Sequence, residues 1–332
     1  MKPQPTLEDV ARLAGVSTAT VSRALNAPDR VRRQTRERVE EVVARLGYTP
    51  NFGGRALASR RTLTMGAVIP TMENAIFARG VQTLQEGLAE AGITLLVATS
   101  NYEPDREAEQ VRVMLGRGVD GLALIGEARD PATYDLIEQR GVAYVLVWTW
   151  RPDAPRPCVG FDNRAAARGI AERVLAAGHR RIAMIAGVTS GNDRAAARVA
   201  GVRAALEGAG ADASRVVEAR YTLEDGAAAA RVLLAAQPRP TALVCGNDVL
   251  AAGACLAARE AGLAIPADLS VTGFDDIDLA LVLTPPLTTV HVPHRRMGQA
   301  AAKLLLDLCD GAAPASVALE TELIERGSLG PA

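Results

Sequence analysis

After about residue 62 the chain alternates short apolar runs with helical stretches, and this alternation constrains the fold more than any other feature. Apolar runs that are each joined to the next by a helix are typical of parallel strands in βα units. Two such sets, about 270 residues in all, fit either one (βα)8 barrel or two separate sheets. The runs are 65–70, 93–98, 119–125 and 142–147, then 181–187, 216–220, 242–246 and 269–274; the clearest helical stretches are 77–92, 105–118 and 131–141.

The composition is that of an ordinary globular protein, because 48% of the 332 residues are hydrophobic and 23% are charged. This length suggests two or three domains. No apolar run reaches about 18 residues, and the N-terminus leads into a charged helix rather than an apolar signal core. These features predict a cytoplasmic protein. Four cysteines (Cys158, Cys245, Cys255 and Cys309) lack metal-type spacing and are interpreted as reduced thiols.

The charge of the chain is unevenly distributed although its net value is only -1. Residues 1–62 carry twelve Lys and Arg against six Asp and Glu, whereas the remainder carries 25 against 32. A small basic segment attached to a larger acidic body suggests that the segment binds a polyanion. A solvated basic face is the alternative, and charge alone does not distinguish the two.

The first fifty residues contain three short amphipathic helical patterns. Thr6 is placed to cap the first helix with Asp9, and the glycine of Gly15-Val16 makes a turn before Ser17 caps the second. A third helix ends at Gly47, and together the three close a small core, which is the helix-turn-helix plan. The predicted inward positions are Val10, Leu13 and Ala14, then Val21, Ala24 and Leu25, then Val39, Val42, Val43 and Leu46; Thr18, Ala19, Ser22 and Arg23 are predicted to face outward.

These residues resemble the lactose-repressor/purine-repressor (LacI) family of transcription regulators. The match runs through LEDVARLAGVSTATVSRALN (7–26), TRERV (35–39) and LGYTPN (46–51), and the likeness extends over nearly the whole chain. It implies an α/β protein with a helix-turn-helix headpiece and a two-lobed core of parallel sheets like that of periplasmic binding proteins. The implied domains are a headpiece (1–49), a hinge (50–62), an N-terminal lobe (63–161 with 291–321) and a C-terminal lobe (162–290 with 322–332).

The resemblance also implies roles for the second helix. Thr18, Ala19 and Arg23 would reach base edges, and arginine suits the O6 and N7 acceptors of guanine. The phosphate contacts would come from Ser17, Thr20, Ser22 and Asn26. The alternative for Arg23 is an ordinary exposed helix residue.

In this family the hinge folds on operator DNA and inserts a leucine into the minor groove, and Leu57 occupies that position. Its alternative is packing against the body. Two departures from the family pattern stand out: Gly53-Gly54 weakens a hinge helix by roughly 1 kcal/mol per glycine, and Arg32 replaces the serine that usually caps the third helix. The hinge is therefore expected to depend strongly on operator.

Ligands of open α/β sheets bind beyond the carboxyl ends of strands. By the resemblance, Arg198 of Arg-Val-Ala-Gly, Asn247 of Gly-Asn-Asp and Asp275 of Gly-Phe-Asp-Asp bind effector, and Tyr221 stacks on it. Asp162, Asp248 and Asp276 also follow strands. The other effector candidates are Ile76, Phe77, Trp148, Trp150 and Arg194.

Each effector candidate has a structural alternative. Asn247 and Asp248 suit a helix cap, Asp275 a turn, and Trp148 and Trp150 the core, although at least one tryptophan is expected in the pocket. Ile76 and Phe77 suit pocket and lobe packing equally. Arg194 beside Arg198 hints at an anionic ligand, so sugar acid, phosphosugar and neutral sugar all remain open.

The sequence contains no GxxxxGK[ST], HExxH or GxSxG motif, and His291 and His294 are expected to pack rather than bind metal. We therefore expect no enzyme, no cofactor and no metal. The expected function is that of a DNA-binding transcriptional repressor controlled by a small-molecule effector, a sugar or sugar acid. It would act as a homodimer on pseudo-palindromic operator DNA, without a membrane. A solute-binding protein and a sugar-modifying enzyme are the alternatives that share the two-lobed core.

Overall fold

The computed structural model describes residues 5–48 and 61–332, and the chain divides into two compact units, 1–62 and 63–332. Leu57, the Gly53-Gly54 pair and most of the predicted hinge lie outside the described residues, as does the side chain of Asn26. Each unit is described by itself.

The first unit contains the three predicted helices: α1 (Leu7–Ala14), α2 (Thr18–Asn26) and α3 (Arg33–Leu46). Thr6 and Asp9 form the expected capping box, in which the Thr6 hydroxyl accepts the Asp9 N–H and the Asp9 carboxylate accepts the Thr6 N–H. These hydrogen bonds lower the pKa of Asp9 to about 2. The Ser17 hydroxyl accepts the Thr20 N–H at 3.2 Å and caps α2. The helix-turn-helix prediction is therefore confirmed.

The predicted inner face of α1 is wrong at one position. Leu13 is 43% exposed, whereas Ala11 is buried together with Val10 and Ala14. At 100° per residue the buried face of α1 is centred between Leu7 and Ala14, and Leu13 lies roughly 110° away from that centre. Leu13 was assigned to the inner face only because it is apolar. The rest of the core contains Val21, Ala24, Val39, Val42 and Tyr48.

The N-terminus of α3 has the weakness that the sequence predicted. Arg32 occupies the N-cap position and its side chain makes no capping hydrogen bond. The other end of α3 is closed by Gly47 in the left-handed conformation, where a residue without Cβ is favoured. The helix therefore relies on its C-terminal cap and on the packing of Val39 and Val42.

The second unit contains two parallel sheets, so the single-barrel alternative is excluded. The first sheet has the strand order β11-β5-β4-β3-β1-β2. Its strands are β1 (Thr64–Ile69), β2 (Thr94–Thr99), β3 (Gly121–Ile125), β4 (Ala143–Val147), β5 (Cys158–Gly160) and β11 (Val317–Ala318). The helices that accompany it are α4 (Ala75–Glu90), α5 (Pro104–Gly116), α6 (Pro131–Gln139) and α12 (His294–Cys309).

The second sheet has the order β7-β6-β8-β9. Its strands are β6 (Ile182–Gly187), β7 (Val216–Ala219), β8 (Ala242–Cys245) and β9 (Ser270–Thr272). Its helices are α7 (Asn163–Ala176), α8 (Asp193–Gly208), α9 (Leu223–Leu234), α10 (Asp248–Glu260) and the short α11 (Asp278–Val282). Both sheets fall where the apolar runs predicted them, because their central strands are buried along nearly their whole length.

The chain passes from one sheet to the other after β5, and it returns near a small antiparallel pair, β10 (Thr289–His291) with β12 (Glu322–Ile324). The helix α12 follows β10 and packs against α4 and the first sheet, although it lies far from them in sequence. Strands of two or three residues, such as β5 and β11, were not predicted because so short a run carries no periodicity.

The described part of the chain has no helix that is long and apolar enough to span a membrane. All four cysteines are free, and Cys158 and Cys245 are buried. Burial raises the pKa of the Cys245 thiol. Among the described residues no cluster of His, Cys, Asp and Glu is arranged to hold a metal ion.

Candidate functional site

A cleft lies where the carboxyl ends of strands from both sheets face one another. It encloses a cavity of about 20 Å3, roughly the space that one ordered water needs. The residues that line it, which we call the cleft residues, are Asn74, Ile76, Phe77, Tyr102, Trp148, Asn192, Arg194, Arg198, Tyr221, Asn247 and Asp275.

The guanidinium of Arg198 is held by groups of the protein on several sides. Its Nε donates to Asn163 Oδ1 at 2.9 Å, and Nη1 donates to the carbonyl oxygen of Gly246 at 2.7 Å. Its Nη2 lies 3.5 Å from Asp275 Oδ1, and the Phe274 ring lies 3.8 Å beneath it. Arg198 is 5% exposed, so these contacts fix its position before any ligand arrives.

Asp275 presents a buried carboxylate to the cleft. Its backbone is held in an unusual conformation, with φ at 102°, by the N–H donated to Val290 O at 2.8 Å. Non-glycine residues rarely adopt such angles, and those that do cluster at functional sites. Its Oδ1 has no hydrogen-bond partner within the described residues, and its neighbour at 3.5 Å is Arg198 Nη2. Burial raises the pKa of Asp275 to about 6, and the charge of Arg198 opposes that shift.

The neighbouring acids Asp276 and Asp248 have structural roles. Asp276 accepts hydrogen bonds from Arg326 and His291, away from the cleft residues. Asp248 is fully buried and accepts the Thr289 hydroxyl at 2.6 Å and the Ile277 N–H at 2.8 Å. Its burial, and secondly the charge of Asp275, raise the pKa of Asp248 to about 8.

Three cleft residues are asparagines that cap helices. Asn74 caps α4, Asn192 caps α8 and Asn247 caps α10, and each uses its side-chain oxygen to accept a backbone N–H of its helix. All three are at most 6% exposed. The sequence predicted the Asn247 cap, and the structure places the same residue in the cleft.

The aromatic cleft residues divide into two contacts. Trp148 meets Phe77 edge to face with ring centroids 5.4 Å apart, and Tyr102 packs on Tyr221 at 5.6 Å. Trp148 and Tyr102 also have positive φ angles, 64° and 61°. Burial raises the pKa of Tyr102, so its hydroxyl stays neutral.

Of the two tryptophans, one is a cleft residue, as expected. Trp148 lines the cleft, whereas Trp150 lines a second, more open cavity of about 470 Å3 together with Phe161 and Leu319. Residues two apart in a regular extended segment point to the same side, but Trp148 breaks that regularity with its positive φ, so the two tryptophans reach different cavities.

Arg194 lies at the rim of the cleft, close to the end of β3. Its Nη1 donates to Asp193 Oδ1 at 3.0 Å, and Asp193 Oδ2 accepts the N–H of Glu127 at 3.1 Å. A side chain at Gly126 would collide with the Arg194 guanidinium. The glycine, at φ 73°, therefore lets the two sheets approach at this point.

Four cleft or supporting residues were not predicted: Asn74, Tyr102, Asn163 and Asn192. Asn74 and Asn192 precede helical stretches, so a search for helix caps would have found them. Asn163 supports Arg198 and donates to Trp148 O at 3.0 Å. No sequence pattern indicates that bond, since it joins residues that are distant along the chain.

Of the predicted DNA-contact residues, those at 17–23 lie on α2 or just before its start. Ser17, Thr18, Ala19 and Arg23 are exposed, and Thr20 and Ser22 are half-buried. The hydroxyls of Ser17 and Thr20 lie 2.9 Å apart. Arg32 and Arg33, at the N-terminus of α3, are also exposed. Such a face combines a basic surface with side chains suited to base edges.

Comparison with known proteins places both parts of the chain. Residues 6–51 match the family described as bacterial regulatory proteins, lacI family, and residues 171–329 match the periplasmic binding protein-like domain. The HTH-type transcriptional repressor CytR of Escherichia coli strain K12 is 34% identical over 328 residues, which cover 97% of this chain and 96% of CytR.

Solved structures agree with that match. A lac repressor dimer bound to operator and the anti-inducer ONPF has a TM-score of 0.88 at 28% identity, covering 99% of this chain and 100% of the repressor chain. A complex of the transcriptional regulator CelR with cellobiose has a TM-score of 0.73 at 34% identity, covering 98% and 99%. The relatives named here are transcriptional regulators and not enzymes. The chain therefore belongs to the LacI family of bacterial regulatory proteins, DNA-binding transcriptional repressors that respond to small-molecule effectors.

Proposed function

We propose that this repressor binds a polyhydroxylated effector, a sugar or sugar derivative, in the cleft. The observation that carries the proposal is the Asp275 carboxylate, which is 1% exposed and has an oxygen without a hydrogen-bond partner in front of Arg198. A carboxylate can accept hydrogen bonds from two hydroxyl groups at once. With amide and guanidinium donors beside it, it suits a ligand that has vicinal hydroxyl groups. Arg198, Asn247 and Asp275 are the proposed polar contacts, and Phe77, Trp148 and Tyr221 the proposed apolar walls.

The headpiece is the proposed DNA reader. Thr18, Ala19 and Arg23 would contact base edges, and Ser17, Thr20, Ser22 and Asn26 would contact phosphates. The exposure of Thr18, Ala19 and Arg23 on one helix supports this assignment. The solved relative bound to operator is a dimer, and we propose a dimer here also, with its two α2 helices on half-sites about one helical turn apart.

The boundaries that the sequence suggested are part of the proposal. Residues 1–49 would form the headpiece and 50–62 the hinge, with Leu57 as the minor-groove wedge. Residues 63–161 with 291–321, and 162–290 with 322–332, would form the two lobes. Packing of α12 on the first sheet supports the assignment of the segment after β10 to the N-terminal lobe.

Control would come from movement of the lobes. The cavity of about 20 Å3 is too small for a sugar, so the cleft opens to admit one. An effector shifts the balance between open and closed forms only by its difference in affinity for them. That balance would set whether the hinges of the two subunits meet operator. We propose binding without turnover, in the bacterial cytoplasm where operator DNA lies.

Thermal unfolding against a panel of sugars, sugar acids, phosphosugars and purines tests the proposal. A ligand at a hundred times its Kd stabilises the protein by about 2.7 kcal/mol. The shift is expected to disappear in Asp275→Asn and to persist in Asp153→Asn, a matched change at an exposed acid. A ligand that stabilises Asp275→Asn as well as the unaltered protein contradicts the cleft assignment. Stabilisation by a purine alone contradicts the sugar-like ligand.

A further inference from the structure

We propose that the effector carries an anionic oxygen group, a carboxylate or phosphate, that binds at Arg194 beside the helix-capping Asn192. This inference rests on the proposed function and narrows its ligand class. It selects acidic sugars over neutral ones, with the hydroxyl groups at Asp275 and the anion at Arg194.

The first observation is a surplus of hydrogen-bond donors. In Asn74, Asn192 and Asn247 the side-chain oxygen is already occupied by a helix N–H, at 3.3, 3.3 and 2.9 Å. The oxygen is thereby fixed as the acceptor, so each NH2 group is left as a donor. Within the described residues none of these three NH2 groups donates to the protein. The three residues are 6, 3 and 2% exposed, and all three line the cleft.

The second observation concerns the two arginines. Arg198 uses Nε and Nη1 on Asn163 and Gly246, and it points Nη2 at Asp275. Arg194 bonds only through Nη1, to Asp193, although its side chain is 91% buried. Its Nε and Nη2 have no partner among the described residues. Arg194 therefore retains more N–H groups for a ligand than Arg198 does.

The acceptors in the cleft do not balance these donors. Asp275 is the carboxylate among the cleft residues, and it already faces Arg198. The tyrosine hydroxyls both donate and accept. Since Arg194 and Arg198 are each matched by an acid, the net charge is close to balanced, and the imbalance lies in hydrogen bonds. A ligand that fills the cleft must therefore supply several lone pairs.

A carboxylate or phosphate is the group that does so in a small volume. A carbonyl oxygen accepts about two hydrogen bonds, whereas a carboxylate accepts about four. The N-termini of α4, α8 and α10 also converge here, and each adds partial positive charge that favours an anion. The buried amide of Asn192 and the guanidinium of Arg194 supply the direct contacts that helix dipoles alone would not.

The test compares matched acidic and neutral ligands by thermal unfolding and calorimetry at constant ionic strength. The acids are D-gluconate, D-glucuronate, D-galacturonate and glucose 6-phosphate; the neutral set is D-sorbitol, D-glucose and D-galactose. At least one acid is expected to bind tenfold or more tightly than its neutral counterpart. Preference among the carboxylates identifies a sugar acid, and preference for glucose 6-phosphate identifies a phosphosugar.

Asn192→Asp then locates the anion. Aspartate still caps α8 through one oxygen, but it replaces the NH2 donor by an acceptor that carries negative charge. The acid is expected to lose at least tenfold in affinity, and a neutral sugar less than threefold. Asn192→Ser, which also caps, tests the loss of the donor without added charge, and Gln139→Glu places the same charge at an exposed site.

Each other outcome overturns the inference. If a neutral sugar binds as tightly as its acid and its binding depends on Asp275, the proposed function stands but the anion inference is wrong. If neither Asn192→Asp nor Asp275→Asn changes the affinity for the acid, the ligand does not bind in the cleft. Absence of any acid or phosphate effect sensitive to Asn192→Asp also counts against the inference.

Discussion

In the headpiece, Thr18, Ala19 and Arg23 lie exposed on one face of α2, whereas Arg198, Asn247 and Asp275 of the cleft are at most 5% exposed. The headpiece residues hold no part of the core, which is formed by Val10, Val21, Val39 and their neighbours. The cleft residues carry both the fold and the proposed binding. Substitutions should therefore separate function from stability in the headpiece and couple them in the cleft.

The coupling should be strongest at Arg198. Arg198→Ala leaves Asn163 Oδ1, the Gly246 carbonyl and the Asp275 carboxylate without their partner. Breaking a buried ion pair typically costs about 3–5 kcal/mol of unfolding free energy. Urea denaturation at pH 7.5 measures it. Arg168→Ala, which removes an exposed i,i+4 pair with Glu172, is the control, with an expected loss of about 0.5 kcal/mol. Similar losses in the two variants would break the comparison.

A second prediction compares the pH dependence of the two regions. The pKa of Asp248 rises from 3.8 to about 8 on folding, so the folded state holds an extra proton between those values and stability falls as pH rises through that window. Asp248→Asn mimics the neutral acid, donating to Thr289 and accepting from Ile277. The variant should therefore have a free energy of unfolding higher than that of the unaltered protein by on the order of a few kcal/mol at pH 8.5, and nearly the same value at pH 4.

Asp9 of the headpiece should behave in the opposite way. Its pKa is lowered to about 2 by the Thr6 capping box, so its contribution is present above about pH 4 and is lost as pH falls through 2. Urea midpoints of the unaltered protein and Asp248→Asn from pH 2 to 8.5 check the pair. Parallel pH curves for the two proteins would refute the Asp248 account.

The third prediction concerns a substitution that weakens DNA recognition and leaves the stability of the protein unchanged. Arg23→Ala should weaken operator binding by about 1–3 kcal/mol and relax base preference at one position, with unfolding unchanged within about 0.5 kcal/mol. Arg33→Ala is the matched comparison. If Arg33 contacts a phosphate, its loss should weaken binding to all DNA sequences alike and flatten the salt dependence of the affinity. Fluorescence anisotropy on operator and mutated operators measures both. Intact sequence preference in Arg23→Ala would contradict the assignment of α2.

The smallest effect is expected at the uncapped end of α3. Arg32→Ser supplies the side-chain acceptor that Arg32 lacks, and it should stabilise the headpiece by about 1 kcal/mol. Hydrogen exchange of the α3 amides measures this locally. Slower exchange confined to α3 supports the capping account, and unchanged exchange opposes it.

The headpiece was largely predictable from the sequence because its signals are local. Thr6 with Asp9, Ser17 and Gly47 each act within four residues, and a capping box or a left-handed glycine leaves a pattern that can be read directly. Leu13 was misassigned because hydrophobicity indicated an inward position while the helix geometry, set by packing on α2 and α3, turned that side chain outward.

The sheets were predictable for a similar reason, since long buried strands give apolar runs. The cleft was only partly so. Arg198, Asn247 and Asp275 came from the family resemblance, but Asn163 and Tyr102 depend on contacts between segments that are 30 or more residues apart along the chain. The Trp148 and Trp150 pair shows the limit, because one unusual φ angle sends the two indoles to different cavities.

The most direct measurement of the central claim is operator affinity with and without the ligand found by thermal unfolding, in the unaltered protein, Arg23→Ala and Asp275→Asn. The account predicts that Arg23→Ala binds operator weakly but still binds ligand, and that Asp275→Asn binds operator normally but does not respond to ligand. If Asp275→Asn responds to ligand as the unaltered protein does, the cleft does not control the headpiece and the account is wrong.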